Sequence, residues 1–379
     1  MSRRSPSPLL PADAEATAVF PRLADPAGYK PCLWALEGGG EKTRYWLDLF
    51  RSHFPSLLDA YRAEATGRGE EPEAVERAAG DAGDRFDAYL DVLAADPGAK
   101  GPLDIITICW ARERALRAAG IDDAYRLAKQ TDTDHALALL PRLLEELDAT
   151  PGAERAVALV QGVFAGNIYD LGATETSAMF TDQRVDFHAV RSKLKPRPWR
   201  FDDLDAWLER LAGPPHRAAV LFVDNAGPDV TLGMIPFARD LLRRGTRVIL
   251  TANTYPSLND VTHDELTALV DRVAAFDAAL REALADGRLA LVPSGNDAPL
   301  IDLSRVSPEL AAAVNAAGVD LVVLEGMGRA VESNFHVSFS CDTLKLAMIK
   351  DRGVAEGLGE IAAGTELFDL VMKFEPAAG

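Results

Sequence analysis

The chain has 379 residues, long enough for two cooperating domains or for one large α/β domain carrying a helical appendage. Hydrophobic residues make up 48% and charged residues 26%, an ordinary balance for a folded protein, and no apolar stretch approaches the ~18 residues of a membrane span. The net charge of −18 repels a nucleic-acid backbone, so a phosphorylated partner is expected to be small and to need a local cation, either a metal or a placed Lys or Arg.

Cys32, Cys109 and Cys341 stand far apart without a CxxC pair, which points away from a disulfide framework and towards a reduced, cytoplasmic setting. Residues 1–30 are rich in Pro, Ser and Ala, lack an apolar core followed by a cleavage site, and read as a flexible lead-in. Residues 31–180 read as a helical domain. Trp46, Leu47, Phe50, Phe54, Leu57, Leu58 and Tyr61 recur at spacings of three and four, with Pro55 placed to break the run. Ala136, Leu137, Leu140, Leu143, Leu144 and Leu147 repeat the pattern.

Residues 181–217 are more polar and contain the breakers Lys195-Pro196-Arg197-Pro198 and Gly213-Pro214-Pro215, which bracket a helix expected from Asp202 to Leu211. This segment reads as a connection to a second domain over 218–379. There the rhythm changes to short apolar runs, at Ala218–Val223, Arg247–Ala252, Leu289–Pro293, Asp320–Leu324, Leu344–Ile349 and Phe368–Phe374. Continuous rather than alternating apolar character suits strands covered on both faces. The helical stretches between most of them imply right-handed crossovers and a parallel sheet.

Polar residues cluster just past the ends of these strands. Ala218–Val223 runs into Asp224-Asn225-Ala226-Gly227, and Arg247–Ala252 into Asn253, with Asp260 seven residues on. Asp320–Leu324 runs into Glu325-Gly326-Met327-Gly328-Arg329, and Leu344–Ile349 into Lys350-Asp351. The carboxyl ends of parallel strands line the ligand crevice, so these residues are expected at one edge. Asp224, Asn225 and Asp260 offer hard oxygen ligands suited to Mg²⁺ or Mn²⁺ rather than structural zinc. On spacing alone Asp224 serves equally as a helix cap, and Asp229 reads as a turn former. Gly326 and Gly328 would let backbone amides approach an anion beside Arg329, and Glu325 is placed to act as a base or to position water. Lys350 needs an anionic partner at the end of an apolar strand, either a phosphate or a neighbouring carboxylate.

Gly38-Gly39-Gly40-Glu41-Lys42-Thr43 imitates a phosphate-binding loop, but Glu41 stands where such a loop has glycine before its lysine. His53, His135, His188 and His216 read as surface or packing residues, whereas His263 and His336 lie nearer the expected crevice.

Three strings in order, Asp224-Asn225-Ala226-Gly227-Pro228-Asp229, Leu258-Asn259-Asp260-Val261-Thr262-His263 and Glu325-Gly326-Met327-Gly328-Arg329, resemble the damage-control phosphatases, first described as domain of unknown function 89. Ala165-Gly166-Asn167 with Asp170, Gly213-Pro214-Pro215-His216 and Leu344 to Lys350 extend the resemblance over roughly residues 155–375. The similarity is strongest to the subfamily with the unaltered Glu-Gly-Met-Gly-Arg motif, which includes phosphatase domains fused to an animal pantothenate kinase homologue. It implies a three-layer α/β/α, Rossmann-like domain with a mostly parallel sheet beside an N-terminal α-helical domain. It further implies a divalent metal (Mn²⁺, Co²⁺ or Ni²⁺, with Mg²⁺ admissible) on Asp224, Asn225 and Asp260 as metal-binding and catalytic residues. Glu325, Gly326, Gly328, Arg329, Lys350 and Asn253 are then expected on the phosphate side, acting on a small phosphomonoester such as 4′-phosphopantetheine or its oxidised forms. An S-adenosylmethionine-dependent carboxyl methyltransferase and a non-catalytic phosphometabolite-binding protein are the rival readings. Nucleic-acid and membrane partners are not expected, and oligomeric state is not legible.

Overall fold

The computed structural model describes residues 17–32, 34–36, 38–168 and 187–377. Five helices come first: α1 (Glu41–Gly67), α2 (Pro72–Ala95), α3 (Ile105–Ala118), α4 (Arg126–Ala149) and α5 (Gly152–Asn167). The heptad-like spacing in α1 buries Trp46, Leu47, Phe50, Phe54, Leu57, Leu58 and Tyr61 on one face. That burial carries the helix unbroken through Pro55, although an interior proline removes a hydrogen bond. Asp104 caps α3 by accepting from the Thr107 amide at 2.9 Å.

The rest of the chain alternates. In order come α6 (Phe187–Ser192), β1 (Phe201–Asp202), α7 (Leu204–Ala212), β2 (Ala218–Phe222), α8 (Ile235–Arg243), β3 (Arg247–Ala252), α9 (His263–Ala274), α10 (Ala278–Ala285) and β4 (Leu289–Pro293). They are followed by α11 (Pro308–Ala317), β5 (Leu321–Glu325), β6 (Asp342–Met348), α12 (Arg352–Gly359) and β7 (Leu370–Glu375). The seven strands form one sheet in the order β1-β7-β6-β5-β2-β3-β4. Every pairing is parallel except β6 with β7, so the mostly parallel sheet expected from the apolar runs is present. The two-residue β1 was not legible as a strand, because pairing with β7 rather than composition makes it one. The supposed connection at 181–217 thus contributes a strand and the helix α7 to the sheet's edge.

Period-two geometry sends alternate side chains of each strand to opposite faces. Ala218, Val220, Phe222, Ile249, Val322 and Leu324 join one apolar cluster, which runs on into the buried faces of α1, α2 and α3. Ala219, Leu221, Val223, Val248, Leu250, Leu321 and Val323 join the other, with α4, α5 and the helices from α6 to α10. The expected domain break near 181–217 is therefore not a break in the core: the N-terminal helices are divided between the two faces of the sheet.

The segment before α1 also differs from expectation. Phe20 is fully buried, edge-on to Phe222 and Phe339 with ring centroids 5.5 and 6.2 Å away. Ala18 bridges Val306 and Leu23 bridges Phe339. The described part of the lead-in is packed in place by these contacts rather than loosely held. Asp170, part of the sequence resemblance, lies outside the described residues, as does the side chain of His188.

Candidate metal and phosphate site

Chain order reverses across the centre of the sheet: β3 and β4 extend it on one side of β2, while β5 and β6 lie on the other. Ligand crevices of parallel sheets open at such a switch point, above the strand ends. Asp224 and Asn225 follow β2 there, and Glu325 ends β5 beside them.

Three local devices bring the polar groups together. The chain after β3 folds back so that Asn225 bridges Asp260 and the Val261 amide donates to the Asp224 carbonyl at 2.9 Å. Beyond Gly227 the backbone enters a π-helical turn, Asp229–Met234, which carries Asp229 back under Asn225. A second π-helical turn, Met327–Glu332, places Arg329 above the same strand ends. Gly326 between β5 and this turn has φ +98°, and a Cβ there would overlap the Asp224 carboxylate, lying 2.8 Å from the Asp224 Cβ. Glycine is required at that position by geometry.

The result is two tiers sharing Asp224. In the lower tier Asp224, Asp229 and Glu325 are buried, with one carboxylate oxygen of each within 4.8 Å of the others. Asn167, from the end of α5, ties them together: its Nδ2 donates to Asp224 Oδ2 (3.2 Å), Asp229 Oδ2 (3.1 Å) and Glu325 Oε1 (3.0 Å). Asn225 Nδ2 donates to Asp224 Oδ2 at 3.0 Å and Asp229 Oδ2 at 2.8 Å, and the Asp224 amide donates to Glu325 Oε2 at 2.8 Å. Lys350 lies beneath, its Nζ donating to the Asn167 carbonyl at 2.8 Å.

In the upper tier Arg329 pairs with Asp224 Oδ1 and, at 2.8 Å, with Asp260 Oδ2, while its guanidinium also reaches Asn253 Oδ1 (3.3 Å) and the Pro299 carbonyl (3.3 Å). Asn253 Nδ2 in turn holds Asp260 Oδ2 at 2.9 Å.

Burial sets the electrostatics of the lower tier. Burial pushes Glu325 well above the usual carboxylate range, and the neighbouring Asp229 pushes it further, against the opposing pull of Lys350. Burial likewise raises Asp229, opposed by Lys350 and by hydrogen bonds from Asn225 and Asn167. Asp229 Oδ1 is buried with no hydrogen-bond partner among the described residues. Three crowded carboxylates, an orphaned buried oxygen and an oxygen-only donor set give the cleft an acidic floor that fits a divalent cation centred on Asp224.

A cleft of about 790 Å³, counting its open mouth, leads down to this floor. Asp224, Asn225, Asp260 and Gly328 line it together with Leu258, Pro299, Leu300, Met327, Glu332 and Asp351. Its outer wall comes from the N-terminal helices: Trp46, Leu49, Phe50 and His53 of α1, and Ile105, Cys109 and Arg112 of α3. The sequence-expected residues therefore converge, with differences of role. Lys350, Glu325 and Asn253 lie behind the lining rather than in it. The Gly326 amide is already bound to the Leu346 carbonyl at 2.9 Å, so it is not open to an anion. Gly328 is forced by the Pro299 carbonyl pressing against it. Asp229 and Asn167 are site residues to which the sequence assigned no chemical role. His53, read as a surface or packing residue, lines the cleft, whereas the His336 ring meets the Lys30 carbonyl and the His263 ring lies 3.4 Å from Asp264 Oδ1. The imitation phosphate loop is the start of α1, where Lys42 pairs with Glu360 and Thr43 with the Leu36 carbonyl.

A switch-point crevice floored by buried oxygen donors defines an α/β protein with a candidate metal site, and comparison with known proteins gives it a family. Residues 52–363 match the family described as the damage-control phosphatase ARMT1-like domain, and the chain belongs to that family. It is 40% identical to a damage-control phosphatase of Arabidopsis thaliana, At2g17340, over 87% of each chain. It is 42% identical to pantothenate kinase 2 of the same plant over 94% of this chain and 42% of that protein. Identity to the 4′-phosphopantetheine phosphatase of Mus musculus is 34%, over 94% of this chain and 48% of the relative. The chain thus spans less than half the length of the two larger proteins. In fold it is similar to a crystal structure of a DUF89 family protein from Pyrococcus horikoshii, with TM-score 0.56 and 16% identity over 86% of this chain and 96% of that one. No described helix is long and apolar enough to cross a membrane.

Proposed function

We propose that this chain is a divalent-metal-dependent phosphatase of small phosphomonoesters, with 4′-phosphopantetheine or its oxidised forms as the leading substrate class. The observation that carries the reading is Asp224. It joins a buried acidic cluster to the floor of an open cleft, in a chain whose relatives include a damage-control phosphatase and a 4′-phosphopantetheine phosphatase.

Asp224, Asn225 and Asp260 would hold the cation, because they are the oxygen donors that reach the cleft directly above the buried carboxylates Asp229 and Glu325. When bound, Mn²⁺, Co²⁺, Ni²⁺ or Mg²⁺ supplies positive charge to phosphate oxygens and to the charge that develops as the ester bond breaks. The protein's own groups do the positioning. Asn167, Asp229 and Glu325 fix Asp224 and Asn225 from below, the arrangement that typically orients a metal's ligands. Arg329 and Asn253 hold Asp224 and Asp260 at a set separation. Trp46, Leu49, Phe50 and Ile105 give the wall from α1 and α3 apolar surface that would limit water around a bound ester.

The test is phosphate release from p-nitrophenyl phosphate and from a panel of phosphorylated metabolites, with and without each divalent metal. Metal-stimulated release from 4′-phosphopantetheine is the expected result. Release from none of the panel under any metal would overturn the reading.

A further inference from the structure

We infer that Arg112 of α3 is the side chain through which this protein grips its substrate's phosphate, an inference that rests on the phosphatase reading above. The candidates suggested by the sequence are already engaged. Arg329 is held by Asp224, Asp260, Asn253 and the Pro299 carbonyl, and Lys350 lies beneath the carboxylates with its amine on the Asn167 carbonyl. Among the described residues that line the cleft, Arg112 is the one lysine or arginine, facing four carboxylates: Asp224, Asp260, Glu332 and Asp351. Arg329 is shared between Asp224 and Asp260, so the cleft keeps an excess of negative charge that repels an entering dianionic phosphate. Arg112, though paired with Glu113, places a positive group on the cleft wall in a form suited to phosphate, a planar guanidinium with several donors.

The guanidinium is built in rather than lying loosely on the surface. It is 4% exposed. Its Nε and one terminal nitrogen donate to Glu113 Oε1 at 2.9 and 2.7 Å, and the same terminal nitrogen reaches Ser257 Oγ at 3.4 Å. Ser257 Oγ donates to Glu113 Oε1 at 2.9 Å, closing a three-member clamp between α3 and the loop that carries Asp260. The second terminal nitrogen makes no hydrogen bond among the described residues. The Phe50 ring, 5.8 Å from the guanidinium carbon, backs it. Ile105, Cys109 and Arg112 recur at spacings of four and three, so a single face of α3 turns the arginine and two smaller side chains towards the cleft. The N-terminal helices therefore contribute to phosphate recognition as well as walling the site.

The experiment is a calorimetric titration of inorganic phosphate into the full chain, with and without Mn²⁺, for wild type, Arg112→Met, Arg112→Lys and Glu113→Gln. It is paired with KM and kcat on p-nitrophenyl phosphate. Arg112→Met is expected to weaken phosphate at least tenfold and to raise KM in parallel, with Mn²⁺ affinity within twofold of wild type. Arg112→Lys keeps the charge but loses the fork, and is expected to weaken phosphate by a smaller factor. Glu113→Gln removes the competing anion and is expected to bind phosphate at least as tightly. Unchanged phosphate affinity in both arginine variants would overturn the inference, as would a tenfold loss in Glu113→Gln. If Arg112→Met fails to fold, Arg112→Lys decides. A wild type that binds phosphate but hydrolyses no ester would remove the phosphatase reading and leave the Arg112 measurement intact.

Discussion

Replacing Gly326 with alanine tests the geometry of the site at its tightest point. The residue has φ +98°, and the added methyl would meet the carboxylate of Asp224, with the Asp224 Cβ 2.8 Å away. Holding a non-glycine residue in that backbone region costs about 1–3 kcal/mol, and overpacking a filled site costs about 1–3 kcal/mol more. The substitution should therefore destabilise the fold by about 2–6 kcal/mol, read as a lower urea midpoint at unchanged slope. Part of the strain is relieved by pushing Asp224 aside, and a displacement near ~1 Å of a positioned group costs about a hundredfold in rate. Phosphate release should fall by that order in the folded fraction, and Mn²⁺ affinity should fall with it. Gly38 is the control: nothing lies within 4 Å of a Cβ added there, and Gly38→Ala should leave both readouts unchanged. Gly326→Ala with wild-type turnover and an unshifted urea midpoint would refute the reasoning.

The same structure sets other expected outcomes. Asn167→Ala removes three hydrogen bonds to Asp224, Asp229 and Glu325, and should lower metal affinity or activity by about 10–100-fold, measured by Mn²⁺ titration and phosphate release. Chelation of a metal-loaded preparation should lower its unfolding temperature, and Mn²⁺ should restore it, because a ligand bound only by the folded state stabilises that state. Lys345 is fully buried, donating to the Phe335 and Val337 carbonyls and pairing with Glu375, and burial lowers its amine from 10.5 to about 8. Below about pH 8 both folded and unfolded chains carry the proton and the burial cost is fully felt. Between there and 10.5 the unfolded chain binds more protons, so this group's contribution to stability rises with pH. The difference in urea midpoint between wild type and Lys345→Met should therefore shift in favour of wild type across that window; no shift would contradict the burial account.

Six strands of the sheet were legible because parallel strands covered on both faces must be apolar throughout, and Ala218–Phe222 or Leu321–Glu325 have nothing else to be. Phe201–Asp202 was invisible, since a two-residue strand exists only through its neighbour β7. Phe20 and Leu23 sit among residues that look like linker, and their role depends on Phe222 and Phe339, hundreds of residues away. The helical half was recognised as helical, but no periodicity reports that α1–α3 and α4–α5 pack on opposite faces of the sheet. At the site, Asp224, Asn225, Asp260 and Arg329 were legible because each comes soon after a strand. Asp229 comes after Pro228 in a stretch that also reads as a turn, and only the π-helical geometry carries it back beneath Asn225. Asn167 comes from the last turn of α5, and its three carboxylate partners lie 57, 62 and 158 residues further on.

Phosphate release by purified wild type and Asp224→Asn, assayed on p-nitrophenyl phosphate and 4′-phosphopantetheine with Mn²⁺ and with chelator, tests the central claim most directly. The predicted result is turnover by wild type that needs the metal, and its loss in a folded Asp224→Asn protein. Turnover by Asp224→Asn at the wild-type rate, or by wild type undiminished under chelation, would contradict it.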